Sequence, residues 1–185
     1  VTYVRYGLSR GNTVGLHDWM LDLDSKFIRG EACAKAAVQL RDQGFQPELI
    51  CAHPGWGEAL FLQDVWPKAR LLCYQEFYYH ARGVDLDFDP ELQGEPSWED
   101  CARLRMKNAN PLLMLDAADW NVTPTAFQRS TFPKEFQHRI TAIHDGIDTD
   151  LACPDPEVAP LQLPDGTTIS VGEPTVTFVN RRIEP

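Results

Sequence analysis

No stretch of this sequence stays apolar for anything near the ~20 residues that a membrane-spanning helix needs, and no charged leader with an apolar run behind it marks a signal peptide. Basic residues are scarce: 17 Lys and Arg stand against 27 Asp and Glu, a formal charge of −10. A chain this acidic is a poor general binder of nucleic acid or of anionic membrane, which leaves room only for a local basic site, such as one for a phosphate. Cysteines are few and odd in number, at positions 33, 51, 73, 101 and 153, and none form a CxxC pair. Cys51 and Cys73 lie inside apolar runs and read as reduced core thiols of a cytosolic protein. No His, Cys or Asp spacing matches a zinc or EF-hand pattern, so a protein-built metal site is not expected. A Walker A loop, a dinucleotide GxGxxG and a Gly-x-Ser-x-Gly elbow are also missing. What is present is 185 residues, 43% hydrophobic, 10% aromatic and 24% charged. That composition fits one globular domain with a real core, or one domain plus part of another, and excludes general disorder.

Five apolar runs read as strands, near residues 2–7, 48–52, 70–74, 119–123 and 139–143. Asp24 or Ser25 is placed to cap a helix running to about Gln43, with Ile28, Ala32, Ala36 and Leu40 as its apolar stripe. Gly44 follows, where a left-handed residue commonly ends a helix. Residues 58–65, 99–118 and 124–130 read as further helices. Asn110-Pro111 restarts the second of these, because Pro fits the first turn of a helix and not its interior. Residues 83–98 are acidic and aperiodic, a long surface loop. Strands alternating with helices argue for an α/β fold with a mainly parallel sheet flanked by helices. Beyond that, residues 149–160 are rich in Pro and Asp and read as a linker, residues 161–170 as a hairpin around Asp165-Gly166, and residues 175–179 as a last strand.

Ligands of open α/β sheets bind outside the carboxyl ends of the strands, and three polar clusters fall there. The first is His53-Pro54-Gly55-Trp56-Gly57-Glu58. Its glycines let a ligand approach backbone N–H groups at a helix start; the plainer alternative is a tight turn with Trp56 packed in the core. The second is Gln75-Glu76-Phe77-Tyr78-Tyr79-His80. A carboxylate just after a buried strand suits proton chemistry, and aromatics beside it can stack on a sugar ring. The alternative is a helix start with Glu76 facing water. The third is His144-Asp145-Gly146-Ile147-Asp148, which is otherwise a turn with Gly146 supplying positive φ.

Taken in order, these clusters resemble glycosyltransferase family 4. Residues 48–58, ELICAHPGWGE, resemble the family strand that ends in a His-containing turn, and residues 70–76 the strand after it. Ala117-Ala118-Asp119 through Thr123-Pro124 resembles the family's "ADxVxxxS", Ile143 to Asp148 its "IPNGVD", and residues 176–185 the "FxGRxxxxKG" that opens its second domain, with Asn180 where relatives have Gly. The wording HPGWGE together with EFYY points to a bacterial subgroup.

The resemblance implies the GT-B fold, two Rossmann-like domains facing a cleft. Residues 1–148 would be the acceptor-side domain, incomplete at its N-terminal end. Residues 149–174 would be a linker with a hairpin, and 175–185 the first strand of the donor-side domain. The chain does not open on Met and ends without a closing element, so both ends read as cut from something longer. The fragment alone is therefore expected to be inactive and, with an incomplete sheet, to self-associate.

The implied activity is a retaining, hexosyl-type transfer from a nucleotide-sugar donor to a glycan or lipid-linked acceptor in polysaccharide biosynthesis. It would take place in the cytoplasm, at or near the inner face of the membrane with room for peripheral contact, and use no metal or other cofactor. The implied catalytic residues are Glu76, which falls where many relatives carry a cleft His, and His53. Gly55, Trp56, Gly57, Glu58, Tyr78, Tyr79, His144, Asp145 and Gly146 would bind substrate, and Arg181 and Glu184 the donor phosphates. Two other readings stay open: a non-catalytic carbohydrate- or nucleotide-binding module, and a GT-B sugar-nucleotide epimerase.

Overall fold

The computed structural model describes residues 2–89, 91 and 94–176. Its contacts divide the chain into two compact units, one ending at Asp145 and one starting at Gly146.

The first unit is a Rossmann-like α/β domain. Four strands, β1 (Leu49–Ala52), β2 (Arg70–Tyr74), β3 (Trp120–Thr123) and β4 (Ile140–Ala142), lie in that order in one sheet. Every neighbouring pair is parallel, with Leu49 opposite Arg70, Leu72 opposite Trp120 and Asn121 opposite Ile140. All four carboxyl ends therefore open on one side, where the loops carrying polar residues follow. Helix α1 (Leu21–Asp42) precedes β1, and α2 (Leu62–Val65), α3 (Trp98–Lys107), α4 (Ala109–Ala117), α5 (Ala126–Thr131) and α6 (Lys134–Gln137) fill the crossovers. Ala37, Ile50, Val65, Trp66, Leu71, Cys73 and Met114 form the main core. Leu115 points instead into a smaller cluster with Phe132 and Ile140, so α4 is buried on two sides. Burial also pushes the Cys73 thiol up to about 12, so it stays a packed, uncharged sulfur.

The run near residues 2–7 is not a strand. Residues 2–8 are exposed and pair with no ladder. Side chains hold this stretch and the loop after it along α1: the Tyr6 hydroxyl donates to Glu58 (2.7 Å), Asn12 donates to the Leu21 carbonyl (3.2 Å), and the Thr13 N–H donates to Asp24 (2.7 Å). Alternating apolar residues fit such a strap as well as a strand, and the hydrogen bonds decide. Asp24 is thereby spent on Thr13 rather than on capping; α1 starts earlier, out of a short 3-10 turn at Asp18–Met20. Among the described residues β1 pairs only with β2, so it is an edge, and Cys51 is exposed rather than in the core as its apolar surroundings implied.

The break between α3 and α4 falls at Asn108, two residues before the Asn110 at which the sequence placed it. Ser97 and Asp100 form a reciprocal cap on α3, which closes the long loop. Asp119 ties the sheet together at its amino end: its carboxylate accepts from the Leu71 N–H (2.9 Å) and from Arg70 (2.7 Å), and both bonds hold it below the ordinary aspartate value.

In the second unit, β5 (Leu161–Gln162) and β6 (Thr168–Ile169) form the antiparallel hairpin, with Gly166 at φ 87°. Residues 149–160 are exposed and contain no helix or strand. The strand read at residues 175–179, together with Arg181 and Glu184, lies outside the described residues. Among the described residues no helix is long and apolar enough to cross a membrane.

Candidate functional site

Parallel pairing of β1 with β2 sets Ala52 beside Cys73, so the chain leaves both strands at adjacent points. His53 follows one strand and Glu76 the other. His53 Nε2 lies 3.2 Å from Glu76 Oε2. A 3-10 turn, Pro54–Trp56, starts immediately after His53 and turns the Gly55 N–H back onto His53 Nδ1 at 3.1 Å. That bond makes Nδ1 an acceptor, which assigns the ring proton to Nε2, facing the Glu76 carboxylate. The pair is a neutral imidazole donating to a carboxylate that is 62% exposed. Glu76 thus keeps open acceptor positions toward a ligand.

Two asparagines at the α3–α4 junction fix this geometry. Buried Asn110 donates to the Pro54 carbonyl (2.8 Å) and so holds the turn after β1. Buried Asn108 donates to the Tyr79 carbonyl (2.8 Å) and accepts from its N–H (3.0 Å), which holds the segment after β2. The turn also presses on α1 with no side chain between. Gly57 sits at φ 97°, and an added Cβ there would lie 2.4 Å from the Lys26 carbonyl oxygen; one on Gly30 would lie 2.8 Å from the Gly57 carbonyl oxygen.

This close approach completes a cavity of about 340 Å³. His53, Gly55, Trp56, Glu76 and Tyr79 line one side, and the α1 residues Asp22, Ser25, Lys26 and Arg29, with Lys107 at the end of α3, line the other. Lys26 is paired with Asp22 at 2.6 Å. The Arg29 guanidinium carbon lies 5.6 Å from the centroid of the Trp56 ring, and Lys107 Nζ lies 3.8 Å from that of Tyr79.

Two neighbouring hydroxyls are taken. The Tyr74 hydroxyl donates to Asp145 at 2.7 Å, and that bond, with some burial, pushes its pKa up to about 12. Desolvation, followed by the bond to Glu58, pushes Tyr6 up to about 12 as well. Both phenols remain protonated near neutral pH and act as donors, not bases.

The family model described as "Glycosyl transferase family 4 group" matches residues 1–152. The chain belongs to this family. No curated protein matches it significantly. The α/β unit is thus a glycosyltransferase domain, and the His53–Glu76 pair lies at the carboxyl end of its sheet.

Of the residues singled out from the sequence, His53, Gly55, Trp56, Glu76 and Tyr79 meet in the transferase cavity. Among the other described residues of this unit that were singled out, none lines it. Gly57 is packed on the α1 backbone, and Glu58 is turned to Tyr6. Tyr78 packs on Phe132, with ring centroids 5.9 Å apart. Asp145 is held by Tyr74, His144 is exposed at the end of β4, and Gly146 belongs to the second unit with φ 86°.

Sequence reasoning missed Lys26, Arg29, Lys107 and the two asparagines. The only advance signal for the last two was a pair of polar, helix-averse residues two positions apart ahead of Pro111. Trp56 is not core: it is 63% exposed. Trp56→Ala is therefore expected to lower the melting temperature by no more than about 2–4 °C. Thermal unfolding followed by circular dichroism checks this, and a larger drop would show that the ring supports the fold.

Proposed function

We propose that this domain is the acceptor-side half of a retaining glycosyltransferase. It would move a hexosyl group from a nucleotide-sugar donor to a glycan or lipid-linked acceptor in polysaccharide assembly, on the cytoplasmic side of the membrane. The observation that supports this is the His53–Glu76 pair, set at the ends of adjacent strands in an open, aromatic-walled cavity of a transferase domain.

In this reading an acceptor hydroxyl donates to a free oxygen of Glu76. As the bond from the anomeric carbon to the nucleoside diphosphate breaks with its electrons leaving on phosphate, the acceptor oxygen bonds to that carbon on the same face, which keeps the configuration, and its proton passes to the carboxylate. His53 donates through Nε2, orients Glu76 and spreads its charge. Trp56 and Tyr79 hold the acceptor by its apolar faces. No metal or other cofactor takes part. Arg181, with Glu184, is the candidate for the donor diphosphate, where a guanidinium fork suits phosphate oxygens.

The test is the intact glycosyltransferase supplied with a panel of nucleotide sugars, with the product anomer read by NMR. Transfer with the donor's anomeric configuration kept, and undiminished by a metal chelator, is expected. An inverted product would sink the retaining mechanism. Interconversion of the nucleotide sugar without transfer would favour an epimerase.

A further inference from the structure

The wall of the cavity that holds His53 and Glu76 has a balance of charge opposite to that of the whole chain. The chain carries a formal charge of −10. The cavity wall nevertheless holds three cations, Lys26, Arg29 and Lys107, against two carboxylates, Asp22 and Glu76. Lys26 is matched by Asp22, and Glu76 faces His53. Arg29 and Lys107 form no ion pair among the described residues. Both are half-buried, and each is held over an aromatic ring that itself lines the cavity. A cation over a ring keeps its N–H donors free at the edge while losing part of its hydration, which strengthens its attraction to an anion.

We infer that the acceptor of this transferase is anionic, and that its phosphate or carboxylate docks between Arg29 and Lys107 while its sugar hydroxyl reaches Glu76. The inference rests on the acceptor-side reading of the cavity given above. It adds that the two cations select charged acceptors over neutral glycans. A guanidinium serves either group through two parallel N–H bonds, and an ammonium adds a point charge.

The 185-residue chain is titrated with inorganic phosphate, with glucuronate and with glucose, and binding is followed by amide NMR shifts. Saturable, salt-sensitive shifts at Arg29, Trp56 and Lys107 are expected with phosphate or glucuronate. Tighter phosphate binding assigns a phosphate-linked acceptor, and tighter glucuronate binding an acidic sugar. Loss of two charged hydrogen-bonding partners in Arg29→Gln/Lys107→Gln should weaken anion binding at least tenfold. It should leave any glucose binding unchanged, and Arg29→Lys should restore part of the loss.

If neither anion shifts these residues, or the double variant binds both as the parent does, the inference is wrong and any binding is of an adventitious ion only. Glu76→Gln separates this from the catalytic proposal, because it should bind anions at least as well as the parent. Anion binding alongside full transfer by Glu76→Gln would overturn the catalytic role alone. Absent anion binding alongside a Glu76-dependent reaction would overturn the anionic acceptor alone.

Discussion

Replacing Glu76 by glutamine should lower kcat of the intact transferase by about 10²–10⁴-fold, the usual worth of a general acid or base. The substitution keeps shape and removes only charge and basicity. The amide oxygen still accepts from His53 Nε2, so the imidazole keeps its orientation. The side chain is 62% exposed, and among the described residues no other bond rests on it, so the melting temperature should stay within about 2 °C of the parent. Steady-state kinetics at saturating donor and acceptor, paired with thermal unfolding, separates the two effects. Full kcat in the variant would reduce Glu76 to a residue of the strand end and move the role to His53.

The second large effect lies outside the reacting pair. Gly57→Ala should lower the melting temperature by about 10 °C, from two costs that add. A non-glycine residue at φ 97° is strained by about 1–3 kcal/mol. Its methyl group would also meet the Lys26 backbone, with the carbonyl oxygen at 2.4 Å and Cα at 2.6 Å. Backbone cannot swing aside as a side chain does, and overpacking of this kind costs about 1–3 kcal/mol more. At about 2–4 °C per kcal/mol for a domain of this size, the sum gives that shift. A melting temperature within about 2 °C of the parent would show that the turn and α1 are not in rigid contact.

The sequence was most legible where one kind of interaction dominates. Residues 48–52, 70–74, 119–123 and 139–143 are short runs set between helical stretches, a spacing that suits a parallel sheet, and all four became strands within a residue or two. Residues 2–7 were not legible, because their alternation is neutral between a ladder and a strap, and the choice fell to Tyr6, Asn12 and Thr13 bonding to partners far away in the chain or on α1. Cys51 was misread for a related reason: four residues do not reveal whether a strand is central or at an edge. Half of the cavity was visible, since His53 and Glu76 directly follow strands. The other half was not. Lys26, Arg29 and Lys107 look like ordinary polar positions of amphipathic helices, and nothing local distinguishes a helix face turned to a cavity from one turned to water.

The two asparagines at the α3–α4 junction have a consequence for how this enzyme family member tolerates change. Asn110 suspends the loop bearing His53, and Asn108 the loop bearing Tyr79 just beyond Glu76, from one point of the scaffold. The His53–Glu76 pair is thereby referenced to a single bracket rather than to two independent supports. The 3.2 Å spacing between His53 and Glu76 is thus flanked on both sides by bonds to this one junction. Arg29 hangs on α1, outside the bracket. Lys107 ends α3 beside Asn108, so the two cations proposed to receive an anion stand on different elements, and only Arg29, on α1, can be exchanged without touching the bracket.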